Sequence, residues 1–201
     1  MTTIDEFQFG FTWRRDGETQ ERSAQALDTG DGVWLVDPFE DAEALERAAA
    51  LGPAAGVLQL LDRHNRDCAA IARRLGAPHL KLPEAVPGSP FEVVRVLWVP
   101  GWREVALWWP DAGRRVLVVA DAVGTNPYYA LGRPAGMHPL LRPFPPGALR
   151  GYAPEHLLVG HGPAVHGPAA AEALSAAYAQ ARTDLPRFVS RLPGLVRSGR
   201  S

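Results

Sequence analysis

The sequence predicts a mixed α/β (α+β) fold in which two sheets pack together and helices cover their outer faces. Two observations carry this. Apolar segments of strand length fall into two groups, each β-rich and each followed by a strand–helix unit, so the order reads β-rich, β/α, β-rich, β/α. Sheets that are apolar on one face bury that face against another layer, and helices take the remaining faces. The composition agrees: 46% apolar and 21% charged residues over 201 positions suit one globular domain, residues 1–201, with a substantial core.

The elements follow in order. Phe7–Arg15 alternates as a strand, and so does Ser23–Asp28. Gly30-Asp31-Gly32 is a turn into Gly32–Pro38, a buried strand that Pro38 ends. Asp41–Leu51 has an acidic start and good helix formers. Ala55–Leu61 is a short apolar run of strand length. A helix follows over Asp67–Leu75, where Cys68, Ile71, Ala72 and Leu75 share one face and Gly76 is placed to end it. His79–Pro83 reads as strand. Between Phe91 and Asp121 three strands succeed one another, with turns at Pro100-Gly101 and around Pro110-Asp111. Gly124–Gly151 is rich in Pro and Gly and holds Tyr128, Tyr129 and His138. A loop of that length in a compact domain serves as a lid, a binding loop or a subunit contact. A strand then ends in the Gly-flanked His161, and Pro168 opens a helix to Ala181. The tail beyond Thr183 adds a short helix.

Several function classes are set aside at this level. The formal net charge is −1 and the arginines are scattered, so no nucleic-acid footprint is present. Cys68 is the sole cysteine, which excludes an internal disulfide. The N-terminus lacks the pattern of a signal peptide and no apolar run reaches transmembrane length, so a cytoplasmic protein with no membrane partner is expected.

The chemistry gathers at three strand ends: Arg63–Cys68, Asp121 and His161. On these blocks the chain resembles the metallo-β-lactamase superfamily, whose signature is H-x-H-x-D-H after a strand, a histidine in a P-G-H turn, an aspartate ending a strand and a histidine in a G-H strand end. The resemblance runs from Val33 through the helix after Gly167. It implies a four-layer αββα sandwich. It also implies a degenerate site, because Arg63-His64-Asn65-Arg66-Asp67-Cys68 lies on the first motif and Trp102 on the turn histidine. Arg63, Asn65 and Trp102 then stand where a first metal site needs three imidazoles. The second site would keep Asp67, Asp121 and His161, with Cys68 in place of a histidine. Carboxylate, imidazole and thiolate are all zinc ligands.

Plainer roles exist for the same residues. Cys68 on an apolar helix face suits a small buried hydrophobe. Asp67 suits an N-cap, and His161 a hydrogen bond to a loop. Asp121 at the end of an apolar strand needs a partner, which the Arg63 guanidinium can be. Trp102 would fill the space of the turn histidine. His64 is a substitute ligand or a solvent-exposed ring. Cys68 activated by His64 or His161 as a nucleophile is a further reading.

Two functions therefore stand. One is a hydrolase-like protein with an altered site and at most one metal ion; the family's substrates include lactams, lactones, thioesters and phosphodiesters. The other is an inactive relative that binds a small molecule or a partner chain, a second copy included, in a cleft roofed by Tyr128, Tyr129 and His138. A metal-free cleft is expected ahead of one with a single zinc, manganese or iron ion, and a dinuclear centre is not expected, since neither Arg nor Trp is a usual ligand. Asp67, Cys68, Asp121 and His161 are expected to meet at one cleft.

Overall fold

The computed structural model describes residues 1–190 apart from 19, 65 and 112. The candidate residue Asn65 and the tail 191–201 therefore lie outside the described residues.

The first sheet contains β1 (Thr2–Phe7), β2 (Gly10–Arg15), β3 (Ser23–Asp28), β4 (Val33–Val36), β5 (Ala54–Gln59) and β6 (His79–Lys81), adjacent in that order. β1 to β4 pair antiparallel, whereas β4–β5 and β5–β6 are parallel. The parallel steps need crossovers, which α1 (Ala42–Leu51) and α2 (Cys68–Leu75) supply. Asp41 caps α1 by accepting the Ala44 N–H at 3.1 Å. Gly76 ends α2 in the left-handed region, at φ 63°.

The expected single strand over Phe7–Arg15 is instead the turn and second arm of a hairpin with β1. The chain reverses at Gln8-Phe9, and Gly10 lies so close to β3 that a Cβ there would stand 2.0 Å from the Ala26 carbonyl oxygen. Leu75, expected on the buried face of α2, is exposed, because the helix stops one residue later.

The second half forms β7 (Glu92–Val99), β8 (Trp102–Trp109), β9 (Val116–Val119), a short ribbon of β10 (Val123–Gly124) and β11 (Gly136–Met137), then β12 (His156–Val159) and β13 (Val165–His166). The second sheet runs β13-β12-β9-β8-β7. α3 (Pro127–Ala130) lies between β10 and β11, and α4 (Pro168–Gln180) follows β13. The segment expected as a long loop, Gly124–Gly151, is thus pinned by the ribbon, α3 and two single turns at Pro139–Leu141 and Gly147–Leu149.

The layers are α–β–β–α. Leu27, Trp34, Val36 and Leu58 on the inner face of the first sheet share a core with Val105, Leu107, Val116 and Val118 of the second. The outer face of the first sheet, with Phe11, Trp13, Leu35 and Val57, packs under Ala44 and Ala48 of α1 and Cys68, Ile71 and Ala72 of α2. α4 buries Ala170, Ala173, Leu174 and Ala177 against the second sheet. No helix among the described residues is long and apolar enough to cross a membrane.

At one end the two sheets are joined through the backbone. Ser23 N–H donates to Gly160 O at 2.8 Å and Gly162 N–H to Glu21 O at 2.9 Å. On the other side of the same end, Val105 N–H donates to Leu60 O at 2.9 Å and Asp62 N–H to Arg103 O at 3.0 Å. The strand ends carrying His64, Asp121 and His161 meet between these seams.

Candidate functional site

His64 follows β5, and its ring is set by Asp37. The Asp37 carboxylate oxygen Oδ2 lies 3.1 Å from His64 Nδ1, and Oδ1 accepts the Leu60 N–H at 3.1 Å. Asp37 is buried and held at φ 45°, an uncommon conformation for a residue with a side chain. Strain of this type persists only where surrounding contacts fix it. A carboxylate facing Nδ1 puts the proton of neutral His64 on that nitrogen and leaves a lone pair on Nε2.

His161 is built the same way. It sits between Gly160 and Gly162, where a Cβ would stand 2.1 Å from Ala120 O and 2.3 Å from Asn126 N respectively. Only glycine lets the chain pass that close on both sides. His161 Nδ1 lies 2.9 Å from the Gln20 carbonyl oxygen, which can only accept, so this ring also presents a lone pair at Nε2. The two Nε2 atoms face each other at 3.3 Å. Opposed lone pairs at that distance need a cation between them, either a shared proton or a metal ion.

Asp121 closes the group. Its Oδ1 is 3.5 Å from His161 Nε2 and also accepts the Tyr129 hydroxyl. Its Oδ2 accepts Arg63 Nη2 at 3.0 Å. One ligand atom from each of His64, Asp121 and His161 lies within 4.8 Å of the others. Two nitrogens on one tetrahedral zinc, each about 2.0–2.1 Å from it, are about 3.3–3.4 Å apart. The donor set, its spacing and the outward Nδ1 partners therefore fit a single ion, with Asp37 and Gln20 O in the outer positions that usually orient ligating histidines.

The electrostatics follow from burial. Burial opposes the charged form of His161, the Arg66 and His64 charges add to it, and its pKa is pushed down to about 3. Burial also opposes ionisation of Asp121, but His161, His138 and His64 and the Tyr129 hydroxyl outweigh it and hold the carboxyl below its usual range. Behind Asp121, the fully buried Glu104 accepts the Asp121 and Ala122 N–H groups, each at 2.9 Å, and the Trp102 indole N–H at 2.9 Å. Burial, with repulsion from Asp121, raises Glu104 to about 7. Arg66 ties both sheets beneath the histidines, donating to Asp37 O at 2.9 Å, to Gly160 O at 2.9 Å and to Ser23 O.

The group opens into a cleft of about 630 Å³, also lined by Arg22, Arg63, Tyr128, His138 and Leu140. Of the four residues expected to meet there, Asp121 and His161 do. Cys68 does not. It points into the core beneath α2, fully buried, with Sγ 3.8 Å from Pro38 O. So placed, it serves as neither ligand nor nucleophile at the cleft, and burial, with repulsion from Asp37, pushes its thiol up to about 12. Asp67 turns to the backbone after β4, accepting Glu40 N–H at 2.8 Å, and makes no side-chain cap on α2.

His64 takes the place expected of that pair. Trp102 is buried beneath Arg63, whose guanidinium carbon lies 3.9 Å from the ring centroid. Tyr129 is fully buried and forms a wall of the site, not a lid, whereas Tyr128 and His138 do line the cleft. Asp37, Arg66 and Glu104 were not anticipated. For Asp37 and Glu104 the one signal is a charged residue inside or directly after an apolar run, as in Val33–Pro38 and Trp102–Trp109; Arg66, in a polar loop, has none.

No family model matches the sequence, and no curated protein matches it. Solved structures do. A metallo-β-lactamase from Hirschia baltica is 12% identical, with TM-score 0.58 over 88% of this chain and 96% of that one. One from Pontibacter korlensis is 12% identical, with TM-score 0.57 over 89% and 99%. The FIM-1 metallo-β-lactamase from Pseudomonas aeruginosa, in its mono-zinc form, is 12% identical, with TM-score 0.53 over 90% and 96%. At these identities the likeness is one of fold.

Proposed function

Taking the metallo-β-lactamase fold as premise, we propose that this chain is a hydrolase-like protein that holds at most one metal ion, on His64, Asp121 and His161. The observation that carries the reading is the 3.3 Å approach of two imidazole Nε2 atoms whose other nitrogens are both engaged outward. Three protein ligands, two imidazoles and a carboxylate, are the pattern of catalytic zinc sites, where a fourth position is left for water.

A zinc-type ion held there would bring the pKa of a bound water to about 7. The chain's own residues do the rest. Asp37 and the Gln20 carbonyl keep both rings in one tautomer. Tyr129 and Arg63 fix the Asp121 carboxylate from two sides. Arg63 also carries a permanent charge bonded to Asp121, which opposes a second ion.

One observation favours a second reading. The Arg63–Asp121 pair at 3.0 Å already supplies a cation to the carboxylate, and a single proton on either Nε2 would satisfy the two rings. In that state the cleft binds a small molecule and does no chemistry.

Metal analysis of protein purified without chelator separates the two. One equivalent of zinc, manganese or iron, lost in His161→Ala, supports the first reading. Two equivalents contradict both. Well below 0.1 equivalent, with no uptake on adding zinc, leaves the binding module.

A further inference from the structure

His138 stands at the N-terminus of the single turn Pro139–Leu141, and its Nδ1 accepts the Leu140 N–H at 3.2 Å. A ring nitrogen that accepts carries no proton, so neutral His138 has its proton on Nε2. The ring is wedged edge-on against Trp102, with centroids 4.7 Å apart at 89°, and against Tyr129 at 5.3 Å. Its backbone N–H donates to Ala122 O at 2.9 Å, next to Asp121. Both the ring and its base are therefore fixed. Among the described residues the ring's hydrogen bond is the one at Nδ1, none is made by Nε2, and the residue lines the cleft. Arg63, stacked on the same Trp102 indole, lines it too. The cleft thus has lone pairs on His64 and His161 and, around one indole, an N–H and a guanidinium without lone pairs.

We propose that His138, with Arg63, forms an oxyanion-binding subsite, donating its Nε2–H to a negatively charged oxygen of an acyl or phosphoryl ligand. Donors fixed in advance at such a point stabilise developing charge because they need no reorganisation. Burial and the Arg63 and Arg142 charges hold His138 below the ordinary histidine range, despite Asp121, so the ring stays neutral at pH 7 and keeps this single-donor form. The assignment rests on the hydrolase-like reading for its catalytic use, but the subsite itself does not need the metal.

The test uses the full chain with uniform 15N labelling, and inorganic phosphate and acetate as probes. Long-range 1H–15N spectra should show His138 protonated on Nε2 and not on Nδ1. Phosphate or acetate should shift that Nε2 signal, and the tighter of the two tells a tetrahedral from a planar oxyanion. His138→Ala should weaken the tighter probe about ten-fold, the effect of one charge-assisted hydrogen bond. His138→Gln, which can still present an N–H, should recover part of that loss. Zinc affinity, measured separately, should be unchanged in both variants. A proton on Nδ1, equal probe binding in His138→Ala, or no binding of either probe overturns the subsite. Wild-type protein that takes up no zinc but still shows the His138-dependent shift overturns the metal reading alone.

Discussion

The Arg63 guanidinium lies over the Trp102 indole at 3.9 Å and reaches Asp121 Oδ2 from there at 3.0 Å. Its other Nη donates to Gly101 O at 2.7 Å. A planar cation on an aromatic face is held by the ring's quadrupole, so an aromatic residue decides where a fixed charge sits. Trp102 is itself aimed by Glu104 through the indole N–H. Glu104 also receives the Asp121 and Ala122 amides. The cation and the carboxylate it meets therefore hang from one buried side chain.

Arg63→Ala should raise zinc affinity about ten-fold or more, since it removes a positive charge bonded to a ligand oxygen. Its effect on stability should be small, about 1 kcal/mol, because the guanidinium is partly open to solvent. Competition with a zinc-binding dye and urea unfolding measure the two. Unchanged zinc affinity would remove Arg63 from the site's electrostatics.

Asp37→Asn should lower zinc affinity about 10–100-fold, the usual effect of losing an outer carboxylate on a ligating histidine. Asparagine tolerates the left-handed backbone that Asp37 adopts, so the fold should survive. The same dye titration decides it, with circular dichroism as the control. An affinity equal to wild type means that Asp37 does not orient His64 for a metal.

Cys68 should resist thiol reagents in the native state and react only as the chain unfolds, because it is fully buried with its thiol pushed up to about 12. Labelling rates across a urea series should track unfolding. Cys68→Ala should leave zinc binding untouched while costing about 1–2 kcal/mol in stability through a small cavity. Rapid labelling in buffer alone would place the thiol at the surface.

A histidine pair far from the cleft sets an acid response. His156 and His166, cross-strand partners on β12 and β13, meet Nδ1 to Nδ1 at 2.6 Å, and His166 Nε2 lies 3.3 Å from Asp5 on β1. Burial and the His166 charge lower the pKa of His156, against Glu155, which itself pairs with Arg115. A histidine depressed on folding contributes stability that is complete above its unfolded pKa of about 6.5 and is lost as pH falls through the folded value. The wild-type urea midpoint should drop more between about pH 7 and pH 5 than that of His156→Gln. Parallel curves would mean that the pair does not titrate against folding.

Most of the architecture could be read from period and punctuation. The strand over Ser23–Asp28 and the helices at Asp41–Leu51 and Pro168–Ala181 agree with the structure to within a residue. The turn at Gln8-Phe9 could not, because Phe7, Phe9 and Phe11 keep alternating across it. At the site, Asp121 and His161 were legible as polar ends of apolar strands. His64 was legible only as a substitute ligand or an exposed ring, because the family motif falls on Asp67 and Cys68; in the structure Cys68 packs into the outer layer under α2 and Asp67 bonds to the Glu40 backbone. The parts of Asp37 and Glu104 depend on partners between 17 and 27 residues away in sequence, such as the Glu104–Asp121 and Asp37–His64 bonds, which no local pattern encodes.

The two backbone seams that join the sheets have a consequence for assembly. Gln20 and His161, 141 positions apart, bond directly, and Ser23 meets Gly160 beside them. Contacts of that span close long loops and carry a large entropy of closure. The six-stranded half can pair its neighbours early, yet an N-terminal fragment that stops short of residue 161 has Asp37, His64 and Asp121 without the second imidazole. The pocket is therefore complete only once both sheets are joined, and its appearance, followed by zinc uptake or by probe binding, reports that the whole sandwich has closed.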